Sequence, residues 1–167
     1  NNHTQRGVTL IELVLYVALI GVVLGSVSVF LGILLSARVK QQVIAEVEGQ
    51  GSAALATIRG TLWRADGVNH PIIGTSSTML ALDMPSAAED PTVVVATGTM
   101  ITITEGIGDA VPLTSSDVIV SDLLVANVAN GTTDSIRISF TLTHVNPNSR
   151  QEFAYTKTFY GTATLRN

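Results

Sequence analysis

The sequence predicts an α+β protein in which one long N-terminal α-helix, membrane-spanning in its first half, packs in its second half on a C-terminal antiparallel β-sheet. Three observations predict it. Leu13 to Leu35 carries no charged side chain. Ile44, Val47, Gly51, Leu55, Ile58 and Leu62 then recur at spacings of three and four, the stripe of a helix that lays one face on a core. Past Pro71 the chain turns to Thr, Val and Ile in period-two alternation, as half-buried strands do.

The apolar run comes first. It exceeds the roughly 20 residues that a helix rising 1.5 Å per residue needs to cross a hydrocarbon core. It is also longer than the apolar core of a secretory signal and passes into "SARVKQQVIAEVEGQGSAALATIRGTLW" with no small-residue cleavage site behind it. Taken alone it fits an uncleaved signal anchor. Arg6 before the run and Arg38 and Lys40 after it nearly balance, so the flanking charges do not orient the span. The chain opens on Asn1 without a methionine, which leaves room for further basic residues upstream.

The helix is expected to continue from about Val8 to about Arg64, roughly 85 Å in all. Between its apolar positions lie Gln41, Gln42, Glu46, Glu48, Gln50, Thr57 and Arg59, assigned to solvent or to a neighbouring subunit. Gly49, Gly51 and Gly60 each cost about 1 kcal/mol against alanine in a helix, and a bend or local loosening is expected near Gly49 to Gly51. "RADGVNHP", residues 64 to 71, is read as the terminating turn through Gly67 and Pro71.

Strands follow. "SIRISFTLTHV", residues 135 to 145, sets Ile136, Ile138, Phe140 and Leu142 on one face and Arg137, Ser139, Thr141 and Thr143 on the other. "EFAYTKTFYGTATL", residues 152 to 165, places Phe153, Tyr155 and Phe159 in phase, with "NPNSRQ" as the hairpin loop between the two. "ANGTTD", residues 129 to 134, joins a strand at about Val118 to Val128 to the next one, with Asn130-Gly131 as the turn. Thr78 to Asp83, Thr92 to Ala96 and Met100 to Glu105 are shorter candidates. Hairpin connections argue for an antiparallel sheet and against a parallel one.

Composition narrows the function. With 167 residues, 46% of them hydrophobic, and a mean hydropathy of +0.42, the chain is too apolar for an ordinary soluble domain. The part outside the apolar run suits one domain with a modest core. A net charge of −4 and nine scattered Lys and Arg residues leave no basic footprint for direct nucleic-acid binding. Cysteine is absent, which removes disulfides, thiolate zinc ligands and a thiol nucleophile.

Catalytic chemistry finds little support, and no catalytic residue, metal site or cofactor is assigned. His3, His70 and His144 lie far apart, and a metal centre or triad needs them to converge. "EGIGD", Glu105 to Asp109, offers oxygens but not the spacing of an EF-hand and reads as a solvated loop. Ser115 and Ser116 sit in no nucleophile motif. Glu12 has no partner group in its own segment.

Glu12 nevertheless needs a reason, because a carboxylate at the centre of a membrane-spanning helix costs roughly 2.5 to 3.5 kcal/mol and less near the interface. One reason is hydration at headgroup depth. Another comes from the string "RGVTLIEL" followed by an unbroken apolar helix, which resembles the class III signal of the type IV pilin and type II secretion pseudopilin family. The resemblance implies a pilin-like fold. It further implies residues 1–7 as a leader peptide ending at Gly7, Val8 as the new and N-methylated amino terminus, and Thr9 and Glu12 as assembly residues, Glu12 being the fifth residue of the mature chain. Residues 8–37 would form the transmembrane and assembly segment. Residues 38–167 would form an extracytoplasmic domain, its amphipathic helix running to about 65.

The implied chemistry is coherent. Cleavage on the cytoplasmic side removes Arg6 and frees an amine at Val8, which a glutamate of an adjacent subunit can pair with inside a low-dielectric bundle. An unpaired charge there costs several kcal/mol, so the pair checks the register of each added subunit. The partners implied are prepilin peptidase, sibling pilin or pseudopilin subunits, and an inner-membrane assembly platform with a cytoplasmic ATPase. The chain would be single-pass in the cytoplasmic membrane with its N-terminus inside, and later part of a periplasmic or surface filament. Valine at position 8 in place of the usual phenylalanine, no proline in the apolar helix and no C-terminal cysteine pair tell against a major pilin. "EGQGSAALATIRGTLWRADGV" and the C-terminal "ISFTLTHVNPNSRQEFAYTKTFYGTATLRN" are similar to minor subunits of the J or W type. The alternative is an uncleaved single-span protein whose β-rich ectodomain binds a ligand or surface.

Overall fold

A computed structural model of the chain describes residues 9–129 and 135–165. The Asn130-Gly131 turn lies outside the described residues. Helix α1, Leu10–Arg64, is continuous over 55 residues. The chain divides into two units between Val39 and Lys40.

In the first unit α1 is apolar on every side, and Thr9 to Arg38 are all exposed. This portion is long and apolar enough to cross a membrane. Its serines do not interrupt that character. Ser26, Ser28 and Ser36 each donate the hydroxyl to the carbonyl four residues back, on Val22, Leu24 and Gly32, at 2.8, 2.9 and 3.1 Å. Each hydroxyl is thus satisfied within the helix, as a lipid environment requires.

In the second unit the same helix turns amphipathic. Val43, Val47, Gly51, Ala54, Ile58, Thr61 and Leu62 are buried, while Ile44 and Leu55 flank that line half-buried. The helix runs unbroken through Gly49 to Gly51. Gly51 serves a close approach: a Cβ there would lie 2.1 Å from Cζ of Phe159. Tertiary packing thereby outweighs the helix penalty of glycine.

The helix ends where Ala65 N–H donates to Thr61 O at 3.1 Å. The predicted turn over residues 64 to 71 is shorter than expected, because Asp66 N–H already donates to Asp83 O at 2.9 Å. Strand β1, Gly67–His70, starts at once. Nine strands follow α1 among the described residues: β1, then β2 Ser76–Ser77, β3 Met79–Asp83, β4 Thr92–Thr97, β5 Met100–Glu105, β6 Val111–Pro112, β7 Val118–Asn127, β8 Ser135–His144 and β9 Thr156–Thr164.

They form two antiparallel sheets and not the single sheet expected, one in the order β1-β3-β4-β5-β6 and the other β2-β7-β8-β9. The physical reason lies in residues 113–117. Leu113 N–H donates to Ile101 O at 2.7 Å, and Ile101 N–H donates to Thr114 Oγ1 at 3.1 Å. The next residue, Ser115, is held by Gln50 of α1. The chain is thereby carried off the first sheet before β7 begins.

The long hairpin of β7, β8 and β9 follows the alternation read from the sequence. Ile136, Ile138, Phe140 and Leu142 are buried, and Phe140 stacks on Phe159 with centroids 5.4 Å apart. In β7 a bulge between Ser121 and Leu124, with Asp122 at φ 55°, shifts the phase. Val118 and Val120 face the core before it, and Leu123 and Val125 after it. Phe153 is not in β9. It ends a single 3-10 turn, Gln151–Phe153, and stacks on His144 at 5.7 Å. One core joins helix and sheets, through Val47, Ile58 and Leu62 from α1, Leu80, Leu82 and Ile101 from the first sheet, and Val125, Ile138 and Phe140 from the second.

Candidate processing and assembly site

The head of α1 is built by local chemistry. Glu12 N–H donates to Thr9 Oγ1 at 3.4 Å, and Leu13 N–H donates to Thr9 O at 3.1 Å. Thr9 is therefore the N-cap, and Thr-x-x-Glu is the spacing of a capping box. Glu12 falls in the first turn, where the positive end of the helix dipole favours a carboxylate. Thr9, expected as an assembly residue, thus has a definite local role in setting where the helix starts. Gly7 and Val8, expected to flank the cut, lie outside the described residues.

Glu12 does have a partner in its own segment. Tyr16, one helical turn on, donates its hydroxyl to Glu12 Oε1 at 3.2 Å. The Glu-x-x-x-Tyr spacing was legible in the sequence as an i,i+4 pair. Both side chains are exposed. The arrangement places one oriented, exposed carboxylate in the first turn of the helix. Two groups of this kind make no nucleophile or metal centre, and among the described residues no cluster of three His, Asp or Glu could hold a metal ion.

The other candidates take structural places. His70 ends β1. His144 Nδ1 lies 2.8 Å from Val145 O, and Nε2 lies 3.7 Å from Glu46 Oε2. His3 lies outside the described residues. In the "EGIGD" loop Glu105 faces Arg64 at 3.9 Å, and Gly106 N–H donates to Glu89 O and Pro91 O at 3.1 and 3.0 Å. A Cβ on Gly106, at φ +54°, would lie 2.2 Å from Ala88 O, so the loop is packed on its neighbour. Ser115 is paired with Gln50 through two bonds, of 2.7 and 2.8 Å.

Three of the seven polar residues of α1 assigned to solvent or a sibling, Glu46, Glu48 and Gln50, are bonded within this same chain. Besides Gln50 and Glu46, Glu48 Oε1 accepts from Lys157 Nζ at 2.6 Å and from the Tyr155 hydroxyl at 3.1 Å. Lys40 Nζ donates to Ala154 O and stands over the Tyr155 ring, 5.9 Å from its centroid. Gln41, Gln42, Thr57 and Arg59 remain exposed.

These bonds shift protonation in opposite directions. The Lys157 ammonium and then the Tyr155 hydroxyl hold the Glu48 carboxyl below its ordinary value of 4.5. The bond to Glu48 holds Lys157 above 10.5. Desolvation and then Glu48 raise the Tyr155 phenol above 10.0. A lowered carboxyl pKa contributes stability that is complete above pH 4.5 and lost as pH falls through the folded value. Raised Lys and Tyr values contribute stability that is lost only in the alkaline range. Glu48→Gln is therefore expected to lower the melting temperature by a constant margin near neutrality, a margin that shrinks on acidification below pH 4.5. Melting curves of both proteins between pH 3 and 8 check this, and a margin independent of pH would remove the carboxylate from the account.

Comparison with known proteins adds one finding. Residues 2–28 match a family model described as the prokaryotic N-terminal methylation motif. No curated protein and no solved structure matches the chain. The matched residues run from ahead of Gly7 through Thr9, Glu12 and Tyr16 into the apolar run. The chain thus carries a type IV pilin-like prepilin signal at the head of the long helix of an α+β, pilin-like fold.

Proposed function

We propose that the protein is a minor pilin or pseudopilin, cut between Gly7 and Val8 by prepilin peptidase, N-methylated at Val8, and assembled through α1 into a type IV pilus or type II secretion pseudopilus, or into the complex that initiates one. The observation that carries this reading is the methylation motif at the head of a helix whose next 20-odd residues are uncharged, exposed and self-satisfied in their hydroxyls. On this reading residues 1–7 are the leader, 8–37 the membrane and assembly segment, and 38–167 the extracytoplasmic domain.

The amine freed at Val8 and the carboxylate of Glu12 on an adjacent subunit supply the pairing, with Thr9 fixing where the helix, and so Glu12, begins. A minor role, of the J or W type, is supported by the sequence segments at 48–68 and 138–167 and by Val8 in place of phenylalanine. Sibling subunits and an inner-membrane platform driven by a cytoplasmic ATPase are the partners. The N-terminus starts in the cytoplasm, and the sheet domain lies on the other side of the membrane.

The test is the intact mass of the membrane-extracted protein from its native host, beside a strain lacking prepilin peptidase. A chain starting at methylated Val8, and found uncut in the deletion strain, is the expected result. A chain that keeps residues 1–7 in both strains would replace this reading with an uncleaved single-span protein whose β-rich domain binds a ligand or surface.

A further inference from the structure

At the C-terminal end of α1 the helix and β9 part company. From Lys157 to Gly161 of β9 they are in close contact: Lys157 reaches Glu48, Phe159 fills the space over Gly51, and Leu55 fills the space over Gly161, where a Cβ would meet its Cδ1 at 2.6 Å. Beyond Gly161 a cleft of about 520 Å³ opens, lined by Ala56, Arg59, Gly60 and Trp63 of α1 and by Thr162, Ala163 and Thr164 of β9. The four helix residues lie at spacings of three, one and three, which places them on one face.

Three properties of this cleft specify an occupant. First, β9 ends the order of its sheet and pairs only with β8 among the described residues, so its outer edge presents backbone donors and acceptors to any extended chain. The usual guards against such pairing, a charge or a proline, are missing from Gly161 to Thr164, while Lys157 lies outside the cleft and is engaged by Glu48. Second, the helix wall of the cleft is open and, Arg59 apart, apolar. Ala56 is exposed, a Cβ on Gly60 would meet nothing within 4 Å, and Trp63 is 66% exposed. A tryptophan beside an arginine is the composition of an interface hot spot. Third, Arg59 is the cleft's one charge, and among the described residues the ion pairs of this part of α1 are made by Glu46, Glu48 and Arg64.

We propose that this cleft receives an extended, acid-bearing segment of another protein, which adds to β9 as a further strand, packs an apolar side chain on Trp63 and places a carboxylate at Arg59. Strand addition supplies affinity through the main chain and specificity through alternate side chains. A second copy meeting this one through the same cleft is a poorer occupant, because the lining holds Arg59 and no acid to receive it. The inference does not depend on cleavage at Gly7.

The cleft carries its own reporter, because Trp63 is the only tryptophan in the chain. The experiment is fluorescence titration of the full chain in detergent with a capped heptapeptide of alternating valine and threonine bearing one glutamate. A saturable blue shift of Trp63 emission is expected. The same peptide N-methylated at alternate residues should lose the shift, since one edge of its hydrogen bonds is blocked. Gly60→Leu, which fills open space and favours the helix, should weaken binding at least about tenfold. Arg59→Glu should exchange the preference for glutamate with one for a lysine-bearing peptide, as a reversed contact requires.

No saturable shift with either peptide would overturn the proposal. So would equal binding by the N-methylated peptide, or an unchanged preference in Arg59→Glu. A shift that depends on protein concentration without peptide would assign the cleft to a second copy and overturn the partner named here.

Discussion

If the chain is processed and assembled as proposed, Glu12→Leu is expected to leave it cut, methylated and inserted, yet absent from the filament. The substitution removes a carboxylate from an exposed apolar helix, so residence in lipid becomes easier. It also removes the one anion at the head of α1 that an incoming amine can meet. Stranding the partner charge in a low-dielectric bundle costs roughly 3 to 5 kcal/mol, which lowers incorporation by about two to four orders of magnitude. Quantitative immunoblotting of the sheared filament fraction against the membrane fraction reads this directly.

Tyr16→Phe is the companion experiment. It removes only the 3.2 Å bond that orients the carboxylate and should lower incorporation slightly, because the charge stays. Incorporation of Glu12→Leu at wild-type level would remove the residue from assembly. Equal loss in both variants would shift the role from the charge to the tyrosine bond.

Gly51→Val is expected to cost about 3 kcal/mol or more in the folded domain. The added Cβ would stand 2.1, 2.3 and 2.5 Å from three ring carbons of Phe159, far inside contact distance. That ring cannot retreat easily, since it is stacked on Phe140, which is fully buried. Relief requires α1 to lift off the second sheet, and Val47, Ala54 and Ile58 would lose their burial with it.

Gly49→Ala provides the contrast two residues away. A Cβ there meets nothing within 4 Å, so only the helix propensity changes, in favour of stability by up to about 1 kcal/mol. Opposite signs at two neighbouring glycines, read by thermal unfolding of the full chain in detergent, are the expected result. Two variants of equal stability would show that α1 does not approach β9 as closely as described.

What could be read from the sequence followed from periodicity. The stripe from Val47 to Leu62 and the alternation from Ile136 to Leu142 are set by burial on one face, and burial leaves its mark on the residue order. Strands too short to alternate leave no such mark: β2 and β6 have two residues each. Nor does the departure of the chain from the first sheet at residues 113–117, which rests on individual hydrogen bonds to Ile101 and to Gln50 of the helix. Phe153 reads as a strand residue because it is an aromatic in phase with Tyr155 and Phe159, whereas its ring is used against His144.

Part of the polar face of α1 is hidden from the sequence for another reason. Glu46, Glu48 and Gln50 look solvated by type, but their partners His144, Lys157 and Ser115 lie 65 to 109 residues away, and pairing at that range has no local signature. At the head of the helix the opposite held. Thr9, Glu12 and Tyr16 are all within two turns, and their spacing contained the cap and the tyrosine bond.

The serines of the apolar portion have a thermodynamic consequence. Because Ser26, Ser28 and Ser36 each close their hydroxyl bond on their own backbone, moving this helix from lipid into a bundle of like helices changes none of those bonds. Hydroxyl chemistry therefore cancels from the difference between the two environments, much as the backbone's own hydrogen bonds do. The exchange is left to side-chain packing along most of its length, and any switch-like dependence on charge is confined to the first turn, one carboxylate deep.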